Sequence, residues 1–323
     1  MRINKLDRYG GAMVGAHVGD SAGAPYEKQR TVVIQQDMKK RGGLVLFGYI
    51  DPWGGKREMP PGHPTDDAEL LAITGQCLVD YPNFDPNVHY ERLRDFIHGR
   101  KSFLTGGEAY GSGRTLRAAL RPPSYRESLE KFGRGEVPII PTNGGLMRIL
   151  VVALRYHMRI EEIVRFARWQ SCITHMHPMS QAACIAYCVL VSQVLDGHSI
   201  KFAWDVTRGI LLEKPYAQIP HMDEILSIDT SRPGEDIIWP DMGSVKTSLR
   251  AALWAALTAA DFRDGLTKVI GLGGDTDTYG AIAGGILGAH FGVDGIPQEW
   301  RDVLIGREKM LELADGLYDL AHS

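Results

Sequence analysis

Four cysteines in 323 residues are too few and too scattered for a disulfide framework. Cys77, Cys172, Cys184 and Cys188 form no CxxC pair, which removes the common thiolate zinc and dithiol redox motifs. Cys184 and Cys188 share one helix face within an apolar run and read as buried free thiols. Charge of one sign is also missing. Lys and Arg total 36 against 39 Asp and Glu, a formal net charge of −3, so the basic footprint of a nucleic-acid or anionic-lipid binder is absent. No uninterrupted apolar stretch of about 18 residues stands out. The opening MRINKLDRYGGAMVGAHVGD lacks the apolar centre of a secretory signal. A cytoplasmic protein with neither a membrane nor a nucleic-acid partner is the expectation. There is no GxSxG elbow, no HExxH and no Walker loop, so serine-hydrolase, zincin and P-loop chemistry have no anchor here.

Strand signals are scarce as well. The β-branched or apolar runs 31–34 and 44–50 are bounded by charged or glycine-rich segments, and nothing repeats as an alternating βαβ series. Apolar residues instead recur at three and four. That spacing predicts helices over 67–80, 88–98, 145–156, 160–172, 179–195, 244–260 and 278–290. Proline-bearing punctuation separates them. No composition shift marks a boundary, so residues 1–323 are expected to form one all-α domain. The segment 214–242 is long for a connection in a compact domain and belongs to the class that often serves as a lid or binding loop.

Glycine is abundant, at 37 residues, and two stripes of it break ordinary helix economics. Gly11, Gly15, Gly19 and Gly23 recur every four residues, as do Gly280, Gly284, Gly288 and Gly292. Each glycine inside a helix costs about 1 kcal/mol relative to alanine. Either close backbone approach by a neighbouring helix offsets this, or some of these glycines lie in loops.

Three acidic clusters carry the chemistry. They are Asp20 with Glu27, then Thr65-Asp66-Asp67, then Asp275-Thr276-Asp277-Thr278 behind Gly273-Gly274. Thr65 reads as an N-cap with two aspartates in the following turn. Each cluster alone is explained by helix-dipole stabilisation of about 0.3–1 kcal/mol. If the helix starts converge, their carboxylates repel, and divalent cations would relieve the repulsion. Four aspartates with two threonine hydroxyls form an all-oxygen set, suited to Mg²⁺ or Mn²⁺ rather than Zn²⁺.

With these motifs the chain resembles the ADP-ribosylglycohydrolase family, which includes hydrolases reversing arginine and serine ADP-ribosylation and the regulator of dinitrogenase reductase. The resemblance rests on GAHVGDSAGAPYE over 15–27, Thr65-Asp66-Asp67, NGGLMR over 143–148, Thr174-His175 and the glycine-rich 273–288. It implies an orthogonal helical bundle with two Mg²⁺ ions, or Mn²⁺, in a cleft. The metal ligands it implies are Thr65, Asp66, Asp67, Asp275, Asp277 and Thr278. Glu27 matches a glutamate that in some members reaches the metal site and gates entry. Asn143, Gly144, Gly145 and His175 fall where the family contacts ADP-ribose. The loop with Gly106, Gly107, Gly111, Ser112 and Gly113 falls where it approaches the phosphates, and glycine-loop N–H groups suit a diphosphate.

The chemistry so implied is removal of ADP-ribose from a modified protein, most simply from arginine. Two ions would align the ribose 2- and 3-hydroxyls while water attacks the anomeric carbon, steered by a carboxylate among Glu27, Asp66, Asp67 and Asp277. Serine-linked or small-molecule ADP-ribose derivatives are alternatives, as is a silent crystallin-like relative, against which the four clustered aspartates argue. One departure stands out: Ala109 occupies the register where some arginine-specific members carry an aspartate, leaving neighbouring Glu108 as a substitute or a solvated surface residue. His175 and His177 flank Met176 ahead of Pro178. Residues two apart do not share a helix face, so they are not read as a zinc pair; His177 is expected to be a capping or surface group.

Overall fold

The glycine stripes set the architecture. The computed structural model describes residues 3–50, 58–99 and 101–323. Within it Lys5–Gly23 and Thr276–Phe291 are helices that lie against one another. Gly11 faces Gly288, Gly15 faces Gly284, Gly19 faces Gly280 and Gly23 faces Thr276. A Cβ on any of these glycines would strike a backbone carbonyl oxygen of the partner helix. Numbers rise along one helix as they fall along the other, so the pair is antiparallel. Contact between backbones replaces side-chain packing, and the dispersion gained offsets the helical cost of glycine. Gly292 departs from this pattern: it lies just past the helix end with φ 71°, a position that favours glycine, and a Cβ there would meet Asp7.

Around this pair the remaining helices form an all-α bundle. Pro178–Leu195 packs on Ile160–Cys172 and Ile200–Leu211, while Arg307–His322 covers Lys5–Gly23 and Asp66–Asp80. By length and composition Pro178–Leu195 could cross a membrane, but 83% of it is buried inside the fold, as befits a core helix. Cys184 and Cys188 sit on it as buried free thiols.

Three expectations need correction. The β-branched run 31–34 opens a helix, Thr31–Arg41, whose C-terminus has three basic residues and a left-handed Gly42; capping and the helix dipole outweigh the β preference of Thr31, Val32 and Val33. Of 44–50 only Tyr49–Ile50 is strand, paired antiparallel with Glu58–Met59. The expected helix 145–156 is broken. Asn143–Gly145 forms a 3₁₀ turn, and the α-helix spans only Leu150–Arg155, because two glycines and an asparagine favour a turn over a helix start. The long segment 214–242 carries short helices Met222–Leu226 and Glu235–Ile238, and its end packs on Gly274 through Ile238.

Candidate active site

The antiparallel register brings the end of the first glycine helix to the start of the last. Asp20, near the C-terminus of Lys5–Gly23, is fully buried and accepts three hydrogen bonds from the start of the Asp66–Asp80 helix. These come from Thr65 N at 2.8 Å, Thr65 Oγ1 at 2.6 Å and Ala68 N at 3.2 Å. Thr65 is therefore the N-cap, accepting from Asp67 N at 3.4 Å while its own proton goes to Asp20. On the other side, Thr276 Oγ1 donates to Gly23 O at 2.8 Å and Asp277 Oδ1 accepts from Thr278 N at 2.9 Å.

Glu27 reaches the same place through the backbone. Lys28 N donates to Gly274 O at 2.7 Å and Gly274 N to Gln29 O at 3.3 Å, which ties the Glu27 loop to the loop carrying Asp275. Carboxylate oxygens of Glu27, Asp275 and Asp277 lie within 4.8 Å of one another, as do those of Asp20, Asp67 and Asp277. Asp277 is common to both triads. Burial, then the neighbouring carboxylates, raises the carboxyls of Asp66, Asp67 and Asp277 above their ordinary range. Burial raises Asp275 as well, against the hydrogen bond from Asn143.

This donor set suits a hard divalent cation. Asp67 Oδ1 is buried with no hydrogen-bond partner among the described residues, and an unpartnered buried carboxylate oxygen is expensive unless a cation meets it. Neither triad contains sulfur or imidazole. Asp20, named in the first acidic cluster but given no role there, fits this environment as well as the residues the resemblance assigns to the metal.

The remaining predicted positions divide. Gly111, with φ 78°, lies against Asp66, so closely that a Cβ would collide with Asp66 Oδ1. Asn143 Nδ2 donates to Asp275 Oδ2 at 2.6 Å and to Ser248 Oγ at 2.9 Å. The imidazole of His175 rests against Gly144, where a Cβ would come within 2.8 Å of its Cε1, and Gly145 backs onto Ser171 and His175. Gly106 and Gly107 belong to a closed turn in which their N–H groups bond Ser102 O at 3.1 Å and Thr105 Oγ1 at 3.1 Å. Those two N–H groups are thereby engaged within the turn. Ser112 accepts from Arg117 at 3.2 Å.

Glu69, which sequence reasoning missed, holds that turn from the helix bearing Asp66 and Asp67. Buried, it accepts from Ser102 Oγ, from Phe103 N at 2.8 Å and from Leu104 N at 3.2 Å. Ala109 is buried, while Glu108 is exposed and its backbone bridges Lys101. His177 caps the Pro178–Leu195 helix, its Nδ1 accepting from Met179 N at 3.1 Å, well removed in role from a metal pair with His175.

The model of the ADP-ribosylglycohydrolase family matches residues 1–323. The chain belongs to that family. An ADP-ribosylarginine hydrolase of Serratia proteamaculans (strain 568) is 26% identical, over 98% of this chain and 80% of the relative. The ADP-ribosylhydrolase ARH3 of Danio rerio is 26% identical over 98% and 92%. The ADP-ribosyl-[dinitrogen reductase] glycohydrolase of Rhodospirillum rubrum is 26% identical over 91% and 89%. A solved structure described as an ADP-ribosylglycohydrolase-related protein complex superposes with a TM-score of 0.74 at 26% identity, covering 98% of this chain and 99% of that one. This ADP-ribosylglycohydrolase is accordingly a glycosyl-bond hydrolase acting on ADP-ribosyl groups, and its clustered acids lie where two glycine-led loops and a capped helix start meet.

Proposed function

We propose that the enzyme releases ADP-ribose from arginine on a modified protein, with two divalent ions, Mg²⁺ or Mn²⁺, held by the carboxylates around Asp277. The observation that carries the metal reading is the pair of triads sharing Asp277 beside the orphaned Asp67 oxygen. Asp66, Asp67, Asp275 and Asp277 would supply most of the ligands, with Thr65 and Thr278 flanking them. Bound ions would supply positive charge for the ribose hydroxyls and for water.

The protein's own groups supply the rest. Asn143, Gly144, Gly145 and His175 would receive the ADP-ribose on one wall, and Gly111 with Ser112 on the other. A carboxylate among Glu27, Asp66, Asp67 and Asp277 accepts the proton of the attacking water. The C–O bond forms at the anomeric carbon as the bond to the guanidine nitrogen breaks, and a proton returns to that nitrogen. Glu27, within one of the triads, suits a guanidinium acceptor, and the exposed Glu108 would be a second acid for it. A purely structural role is disfavoured because repelling buried carboxylates destabilise a fold that gains nothing from them.

The test is a panel of arginine-linked, serine-linked and small-molecule ADP-ribose substrates, assayed with Mg²⁺, Mn²⁺ and EDTA. Arginine-linked substrate should be cleaved fastest and EDTA should stop the reaction. Faster cleavage of serine-linked substrate would replace the acceptor assignment. Full activity in EDTA would remove the metal.

A further inference from the structure

Behind the Asn143–Gly145 turn lies a guanidinium that, among the described residues, has no carboxylate beside it. Arg148 is fully buried, and its Nη1 donates to Gly144 O at 2.6 Å. Nη2 donates to Thr174 Oγ1 at 2.7 Å and, more weakly, to Gln170 O at 3.4 Å. Burial lowers the guanidinium to about 10, which still leaves it charged at neutral pH. A buried cation met by neutral oxygens is costly, and what it holds is the Asn143–Gly145 turn and Thr174.

The hydrogen-bond arithmetic fixes a proton. A guanidinium can only donate, so Thr174 Oγ1 accepts from it. The Thr174 hydroxyl has one proton of its own and is fully buried, and among the described residues the only acceptor within reach of that proton is His175 Nδ1 at 2.8 Å. The hydroxyl therefore donates to Nδ1, which must be bare. A neutral imidazole then carries its proton on Nε2. The doubly protonated ring is disfavoured by burial and by the Arg148 charge, both of which lower the His175 imidazole well below its ordinary value. No residue among those described accepts from Nε2, and the Nε2 edge of the ring lies against Gly144.

We propose that Arg148 is a positioning residue that, acting through Thr174, locks His175 as an Nε2–H donor aimed at an oxygen of the ADP-ribose moiety, a role that rests on the ADP-ribose reading of the cleft. The arrangement resembles in logic the carboxylate that sets the tautomer of a catalytic histidine, but with a cation and a hydroxyl in place of the anion. The sign is inverted. A carboxylate would stabilise imidazolium, whereas the guanidinium behind a hydroxyl keeps the ring neutral and donating.

The tautomer can be read without turnover. In the full-length protein labelled with ¹⁵N-histidine, a long-range ¹H–¹⁵N spectrum should show His175 with a protonated Nε2 and a bare Nδ1, unchanged from about pH 6 to 8. His175→Gln assigns the signal. Thr174→Ser should preserve both the tautomer and ADP-ribose affinity. Thr174→Val should mix the tautomers and weaken ADP-ribose binding, measured by calorimetry, by roughly 3- to 10-fold. A wild-type ring protonated at Nδ1 would overturn the proposal, and that spectrum decides even if Thr174→Val fails to fold. So would a Thr174→Val protein with unchanged tautomer and affinity. If the wild-type ring carries its proton on Nε2 but ADP-ribose does not bind, the ligand reading of the cleft fails while the Arg148–Thr174–His175 relay stands.

Discussion

The two aspartate-bearing helix starts look alike in sequence and differ in what secures them. At the first, Thr65 is fully engaged: it accepts from Asp67 N and donates to buried Asp20, which also accepts from Thr65 N and Ala68 N. At the second, Asp275 is the N-cap without a side-chain cap bond, and the tether is Thr276 to Gly23 across the glycine interface. One start is anchored by a buried carboxylate and the other by the close approach of two backbones. The carboxylates that face one another between them are correspondingly fixed from behind, which is what a site assembled before its ligands arrive requires.

That contrast ranks the aspartates. Asp277 belongs to both triads, whereas Asp66 belongs to neither and lies against Gly111. Asp277→Asn should reduce turnover by about 10³-fold, equivalent to roughly 4 kcal/mol. Asp66→Asn should cost less, and helical circular dichroism should survive in both. A larger loss in Asp66→Asn than in Asp277→Asn would reverse the ranking. The backbone tether can be broken directly. Gly284→Ala drives a Cβ into Gly15 O and should lower stability by about 3 kcal/mol. Gly209→Ala, at an exposed helical site with nothing within 4 Å of the added atom, should instead stabilise by up to about 1 kcal/mol. Thermal melts of the pair separate interface from propensity, and equal shifts would mean that the stripe is not a contact.

Much of this was legible in the chain. Residue spacing alone gave the helices 67–80, 160–172 and 179–195 to within one residue of Asp66–Asp80, Ile160–Cys172 and Pro178–Leu195, because long apolar periodicity survives into packing. The four-residue glycine period announced an interface, though not its partner. What could not be read was long-range. Glu69 holds Ser102 across 33 residues and Asn143 holds Asp275 across 132, and nothing in local spacing encodes either. Asp20 was visible as an acid behind a glycine, but its role as a clamp depends on Thr65 being folded back against it. The run 31–34 misled because local β preference is weak evidence once caps and dipole favour a helix.

Charge repulsion offers a subtler contrast between the metal-free and metal-bound protein. Burial first, and neighbouring carboxylates second, raise Asp67 and Asp277 above the ordinary value of 3.8. A folded-state value above the unfolded one means that the native state holds extra protons as pH rises from about 4. In the metal-free protein stability should therefore fall as pH increases through that window, by about 3 °C or more in Tm between mildly acidic and mildly alkaline buffer. Mg²⁺ or Mn²⁺ should raise Tm most at the alkaline end, where the carboxylates are ionised. A metal-free melt that rises with pH over this range would show that these carboxyls are not raised.

A difference in kind distinguishes the two threonines that flank the aspartates. Thr65→Val removes the cap for Asp67 N and the donor to Asp20 Oδ1, leaving a buried carboxylate one bond short. Stability should drop by about 1–2 kcal/mol, and activity should decline with it, recovering when Thr65→Ser restores the hydroxyl. Thr278 sits inside its helix, buried, with its hydroxyl beside Asp67, where it partly opposes the rise of that carboxyl. Its backbone N–H is met by Asp277, not by its own side chain, so Thr278→Val removes no cap. The expected result is a near-wild-type melt without metal and a weakened response of Tm to added Mg²⁺. If Thr278→Val instead lowers the metal-free melt as much as Thr65→Val does, the two helix starts are secured in the same way and the asymmetry between them is lost.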